Sequence, residues 1–386
     1  MGVGICWSFD RAWIYALHKL IASSALHHIP AISDPKEEQS TTWMRRCFFR
    51  KSIALYFPEK NSFMRNMNIP LRMCVVLALI VLPVKTCGAE FVAPSEEARA
   101  RALGDISDES EPFRKLLAAD ADFEVIAKPG PSDWLSRHKE RGQTFPDYKR
   151  SNANRPDNAR RVIYLFPIGK FEEEASPSLE ALREYAAVFF QMEVRVLPVF
   201  EPAEELFSPR INKYSGKRQI LTGSIMAFLR ELLPKDAYCM IGVTMTDLHP
   251  QASWNFVFGQ ASLRERVGVF SFARHDPAFF GIGTTQRPAD FEKRMLWRSC
   301  HTLAHEIAHM FGLWHCVYYQ CLINGSNTLA EADRQPQHAC IICLRKLREA
   351  IRFDPVKRYR ELEAFYRKHN MTDEAEWVKR QLAKVK

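Results

Sequence analysis

One histidine spacing constrains this 386-residue chain more than anything else in it: His305-Glu306-Ile-Ala-His309-Met-Phe-Gly312-Leu-Trp-His315. On a helix, residues four apart lie one turn apart on the same face, so His305 and His309 can reach a single ion. Glu306, beside the first imidazole, stands where a water on that ion would lie. Gly312 can take the left-handed conformation that ends a helix, and the chain can then turn back to bring in His315 as a third nitrogen. Three neutral nitrogens with an open fourth position are the arrangement of a catalytic zinc site. His301 lies one further turn back on the same face. Thr302 follows it where a base would be needed, so it is read as a packing or supporting residue.

Four cysteines follow at once, in the spacing Cys316-x4-Cys321-x18-Cys340-x2-Cys343. Two pairs separated by a loop, the second at the head of a helix, are the pattern of a four-thiolate structural zinc. Two disulfides are the competing arrangement, and His338 is a weaker substitute ligand.

The histidine motif and the cysteine pattern together resemble the archaemetzincins, a family of zinc peptidases in the metzincin clan. Similar stretches flank them: Gly242-Val-Thr-Met-Thr-Asp247-Leu, Phe256-Val-Phe-Gly259-Gln-Ala, Val267-Gly-Val-Phe-Ser271-Phe-Ala-Arg274 and Gly325-Ser-Asn327. The likeness runs over roughly 160–353. It implies a catalytic zinc on His305, His309 and His315, Glu306 as general base, and a structural zinc on Cys316, Cys321, Cys340 and Cys343. Peptide bonds would then be hydrolysed by a zinc-activated water. One position departs from the family pattern. The methionine that metzincins carry beneath the zinc falls here on Ile323, an apolar residue of similar volume, so a modest effect is expected. The rival expectation is a zinc-dependent module that binds peptides or partners without cleaving them.

The apolar pattern predicts an α/β (α+β) fold of metzincin-like type: a twisted mixed sheet packed on helices, an active-site helix, and a C-terminal helical, zinc-clamped part. Strands are expected at Val162–Phe166, Val194–Phe200, Tyr238–Thr246, Trp254–Phe258 and Val267–Phe272. Helices are expected near Ser95–Leu103 and Pro112–Ala119. A third opens at Ser176-Pro177 and runs to Phe190, followed by Ile220–Leu233, Ala289–Phe311, Cys340–Phe353, Asp354–His369 and Thr372–Val385. Substrate would lie along a strand edge, with Trp254–Phe258 or Val267–Phe272 as candidates.

Charge locates itself at the ends. Of a net +9, residues 1–89 carry 11 Lys/Arg against 5 Asp/Glu, and residues 344–386 carry 13 against 7. The span between is slightly acidic, which argues against a nucleic-acid footprint on the core. Met73–Val84 is too short to span a bilayer. Arg65 and Arg72 precede it and Cys87-Gly88-Ala89 follows, as in a secretory signal peptide. Residues 64–89 are therefore expected to be a signal segment and 1–63 a spurious or isoform-specific extension. The remainder divides into a polar segment at 90–156, a peptidase domain at 157–353 and a basic helical tail at 354–386. Within the domain, the zinc helix is 289–311 and the four-cysteine segment 316–343. The chain would be secreted if the signal is used and cytoplasmic otherwise. A monomer is expected, with a peptide or protein substrate, no nucleic acid and no stable membrane span.

Overall fold

The computed structural model describes residues 91–282 and 287–385. The expected signal segment and extension lie outside the described residues.

Four short helices come first: α1 (Glu96–Leu103), α2 (Glu111–Leu117), α3 (Trp134–Arg137) and α4 (Phe145–Arg150). Then β1 (Val162–Ile168), α5 (Leu179–Phe190), β2 (Glu193–Val196), β3 (Arg210–Ile211), β4 (Arg218–Leu221) and α6 (Thr222–Leu232) lead to β5 (Ala237–Thr244). The strands β6 (Asp247–His249), β7 (Gly259–Ser262) and β8 (Val267–Ser271) follow. The rest is helical: α7 (Phe291–Met310), α8 (Leu329–Ala332), α9 (Ile341–Ile351), α10 (Pro355–Lys368) and α11 (Thr372–Lys384).

The main sheet is mixed, in the order β2-β1-β5-β8-β7. Its first four strands run parallel and β7 pairs antiparallel with β8. β1, β5 and β8 are buried along their whole length, which is why they read as continuous apolar runs rather than alternating ones. Helix α6 packs on β5 and β8, while α5 packs against α7 and α10. No helix among the described residues is long and apolar enough to cross a membrane.

Several expected boundaries move for identifiable reasons. Helix α5 is capped by Ser178, whose hydroxyl accepts from the Ala181 N–H, rather than by Ser176. β2 stops at Val196 because Pro198 has no N–H to pair; Phe200 then makes a lone bridge to Ile168. β4 precedes α6 directly and joins β3 and β6 in a small three-stranded sheet that the apolar pattern does not announce. Trp254–Phe258 is not a strand: only Val257 bridges, to Leu248. Arg210 instead takes the carbonyls of Ala252, Trp254 and Asn255 at 3.0, 2.6 and 3.1 Å. Val267–Ser271 lies between β5 and β7, so it offers no free edge, and β7 is the edge strand.

The long helix α7 is buried on most sides, with Met295, Cys300, Leu303, Ala304, Ile307 and Ala308 in the core. Its end is fixed by several independent contacts. Gly312 adopts φ +81°, the Gly312 N–H reaches the His309 carbonyl at 2.8 Å, and the Leu313 N–H reaches that of Ala308 at 3.3 Å. These are the paired bonds of a Schellman turn. The carbonyls of Met310, Phe311 and Gly312 would otherwise be orphaned. They accept from Tyr238 Oη (2.9 Å), Tyr148 Oη (2.7 Å) and Gln143 Nε2 (3.1 Å).

Candidate metal centre

Helix α7 places His305, Glu306 and His309 on a partly exposed strip near its C-terminal end. The Schellman turn then folds the chain back. The Leu313 carbonyl therefore comes to accept from His309 Nδ1 at 2.7 Å, and His315 arrives beside the other two imidazoles. His305 Nδ1 donates to the Leu322 carbonyl at 2.9 Å. His315 Nδ1 donates to Glu140 Oε1 at 2.8 Å.

These outer bonds determine the inner chemistry. A carbonyl or carboxylate only accepts, so each Nδ1 carries the proton and each neutral ring presents a lone pair at Nε2. Burial disfavours the imidazolium, pushing His305 well below its ordinary value and His309 to about 4. One ligand atom from each ring lies within 4.8 Å of the others, and the Nε2 atoms of His305 and His309 are 3.1 Å apart. Two lone pairs at that separation repel unless a cation lies between them. Tetrahedral zinc at ordinary Zn–N distances would hold them about 3.4 Å apart. The residues fit a metal ion.

The cluster opens onto a cleft of about 440 Å³. Glu306 lines it, and burial pushes its carboxyl up to about 7, with His315 opposing. Behind Glu306 is Gly259, at the start of the edge strand. A Cβ there would sit 2.9 Å from Glu306 Oε1 and 2.8 Å from the Phe270 Cβ. The cleft is lined by the 254–258 segment pinned by Arg210, by Trp134, Asn327 and Leu329, and by His275, His301 and Thr302. His301 is buried, stacked between Trp297 and His305, and is not among the three converging rings.

The second cluster begins at Cys316, the residue after His315. Cys316, Cys321, Cys340 and Cys343 are fully or almost fully buried and free of disulfides. Their four sulfurs lie within 4.8 Å of one another. Cys316 Sγ is 3.6 Å from Cys340 Sγ, close to the roughly 3.8 Å edge of a tetrahedral zinc–thiolate site. Backbone N–H groups of Ile323 and Cys340 point at Cys321 Sγ (3.4 and 3.2 Å), as they would toward a thiolate. Asn324 ties the loop, donating to the carbonyls of Cys316 and Tyr319 and accepting from the Cys321 N–H. Ile323 is fully buried in this turn, next to the Leu322 carbonyl that holds His305. His338 stacks on Trp377 at 3.6 Å and takes no part in the cluster.

The chain is similar to known proteins over much of its length. The family model of Peptidase family M54 matches residues 218–349. Archaemetzincin-2 of Mus musculus is 41% identical over 264 residues, covering 62% of this chain and 74% of that protein. This chain belongs to the archaemetzincin family. It is a zinc metallopeptidase. Archaemetzincin-1 of Homo sapiens is 32% identical over 254 residues, covering 60% of this chain and 51% of that relative. Among solved structures, an archaemetzincin from Methanopyrus kandleri is 27% identical, with a TM-score of 0.39, covering 51% of this chain and 99% of that one.

Sequence reasoning missed the residues that the 90–156 segment brings to the cleft of this archaemetzincin. Trp134 and Arg137 line it, and Glu140 holds His315. They sit in a polar stretch with no periodicity, and no local spacing marks them.

Proposed function

We propose that His305, His309 and His315 hold the catalytic zinc of this peptidase, with Glu306 as general base. Cys316, Cys321, Cys340 and Cys343 would hold a second, structural zinc. The observation that carries this is the convergence of three Nε2 lone pairs whose Nδ1 protons are already committed elsewhere. Zinc, when bound, supplies Lewis-acid chemistry: it acidifies a water and polarises the scissile carbonyl.

The chain's own residues do the rest. Helix α7 carries His305, Glu306 and His309, and the turn at Gly312 brings His315 beside them. Glu306 takes the proton from the attacking water and passes it to the departing amine. A carboxyl pushed up to about 7 by burial suits both halves of that transfer, since it accepts and releases a proton near neutrality. Gly259 keeps the edge strand free of a side chain at Glu306. An extended peptide would lie in the cleft lined by the 254–258 segment, Trp134 and Asn327.

Glu306→Ala should keep two zincs per chain while turnover of a mixed peptide library falls by about 10²–10⁴-fold. Turnover at the wild-type level in that variant would remove the general-base assignment.

A further inference from the structure

We infer that Glu140 is a positioning residue for the catalytic zinc site, so that the segment before β1 completes the metal centre. This rests on the three-histidine assignment above and goes beyond it. Of the three imidazoles, His305 and His309 are fixed by helix α7 itself. His315 lies in the loop beyond Gly312, with no helix to orient it. Its Nδ1 donates to a carboxylate oxygen, Glu140 Oε1 at 2.8 Å, where the other two donate to backbone carbonyls. A carboxylate behind an imidazole fixes its tautomer and makes the inner nitrogen a stronger donor to a metal.

Glu140 is itself built into place. Trp134 Nε1 donates to the same oxygen at 2.9 Å, and the Trp134 ring meets His315 edge-on at 5.1 Å. The indole is held in turn by His138, stacked at 3.7 Å, and by a bond from the Trp134 N–H to Glu331 Oε1 at 2.8 Å. At Gly325 a Cβ would lie 2.5 Å from the indole, so that loop closes against it with nothing between. Glu140 Oε2 is buried and makes no hydrogen bond. The carboxylate's interactions are therefore concentrated on the oxygen facing His315. Because it touches the outer nitrogen, it leaves Nε2 free: the segment supports the site and does not block it.

The test titrates the full-length chain with Zn²⁺ against a chromophoric chelator, and records the visible absorption of the Co²⁺-loaded protein. Glu140→Ala should weaken one of two zinc sites by about 10–100-fold and leave the other unchanged, with an altered Co²⁺ spectrum. Glu140→Gln is isosteric and can still accept from Nδ1–H, but carries no charge. It should fall between wild type and alanine, and it stays readable if the alanine variant misfolds. Zinc affinity and a Co²⁺ spectrum like wild type in both variants would overturn the proposal. Zinc content that stays at the wild-type level in His309→Ala would instead overturn the three-histidine assignment on which it rests.

Discussion

His315 and Cys316 are neighbours in the chain, yet they belong to two clusters built on opposite terms. The histidine cluster lines a cleft, its rings partly exposed and its inner nitrogens unshared. The cysteine cluster is closed, its sulfurs buried and approached by backbone N–H groups. An open set leaves room for substrate, whereas a closed one can only hold. The loop from Leu313 to Cys343 serves both, so the closed cluster is the foundation on which the open one is set. Leu322 and Ile323 make this concrete. Their carbonyls accept from His305 Nδ1 and from the Cys316 N–H, one on each side.

If one cluster supports the other, damage should travel in one direction. Cys321→Ser should cost several kcal/mol of stability and take zinc content from the proposed two per chain toward zero, because the loop carrying His315 loses its anchor. His309→Ala should remove one zinc and lower the melting temperature by less than Cys321→Ser does. Zinc analysis beside a thermal melt reads both, and full activity in Cys321→Ser would show the clusters to be independent. A smaller effect confined to the open cluster is expected from Gly312→Ala. Its Cβ would lie 2.7 Å from that of Ala153, at a φ that alanine adopts at a cost. We expect about 1–3 kcal/mol, with the cysteine-bound zinc kept. Retention of both zincs at wild-type affinity would mean that the turn tolerates displacement. Smallest should be Ile323→Met, a near volume-preserving change in the shared turn, at less than about 1.5 kcal/mol and with turnover changed less than tenfold. A large rise in turnover would show that the side chain at 323 governs the site more than the backbone does.

The local parts of this centre were legible in the sequence. The spacing of His305 and His309 follows from helix period, the turn from Gly312, and the paired cysteines from ligand arithmetic. The cap at Asp354 was legible too, since it accepts from the N–H groups of Val356 and Lys357, whereas Ser178 and not Ser176 caps α5. What could not be read depends on contacts between distant residues. Glu140 meets His315 across 175 positions, and Trp134 meets Glu331 across 197. The 254–258 segment has the composition of a strand, yet side chains from β3 and β4 take its carbonyls, so its pairing is decided elsewhere. Val267–Ser271 looked like an edge because a run of apolar residues carries no record of how many neighbours it will have.

Gly259 has a consequence of its own. Its missing side chain leaves the space that the Glu306 carboxylate occupies, since a Cβ there would lie 2.9 Å from Oε1. A methyl group added there would press on the carboxylate without touching substrate, so a mutational scan would record a catalytic lesion at a residue that does no chemistry.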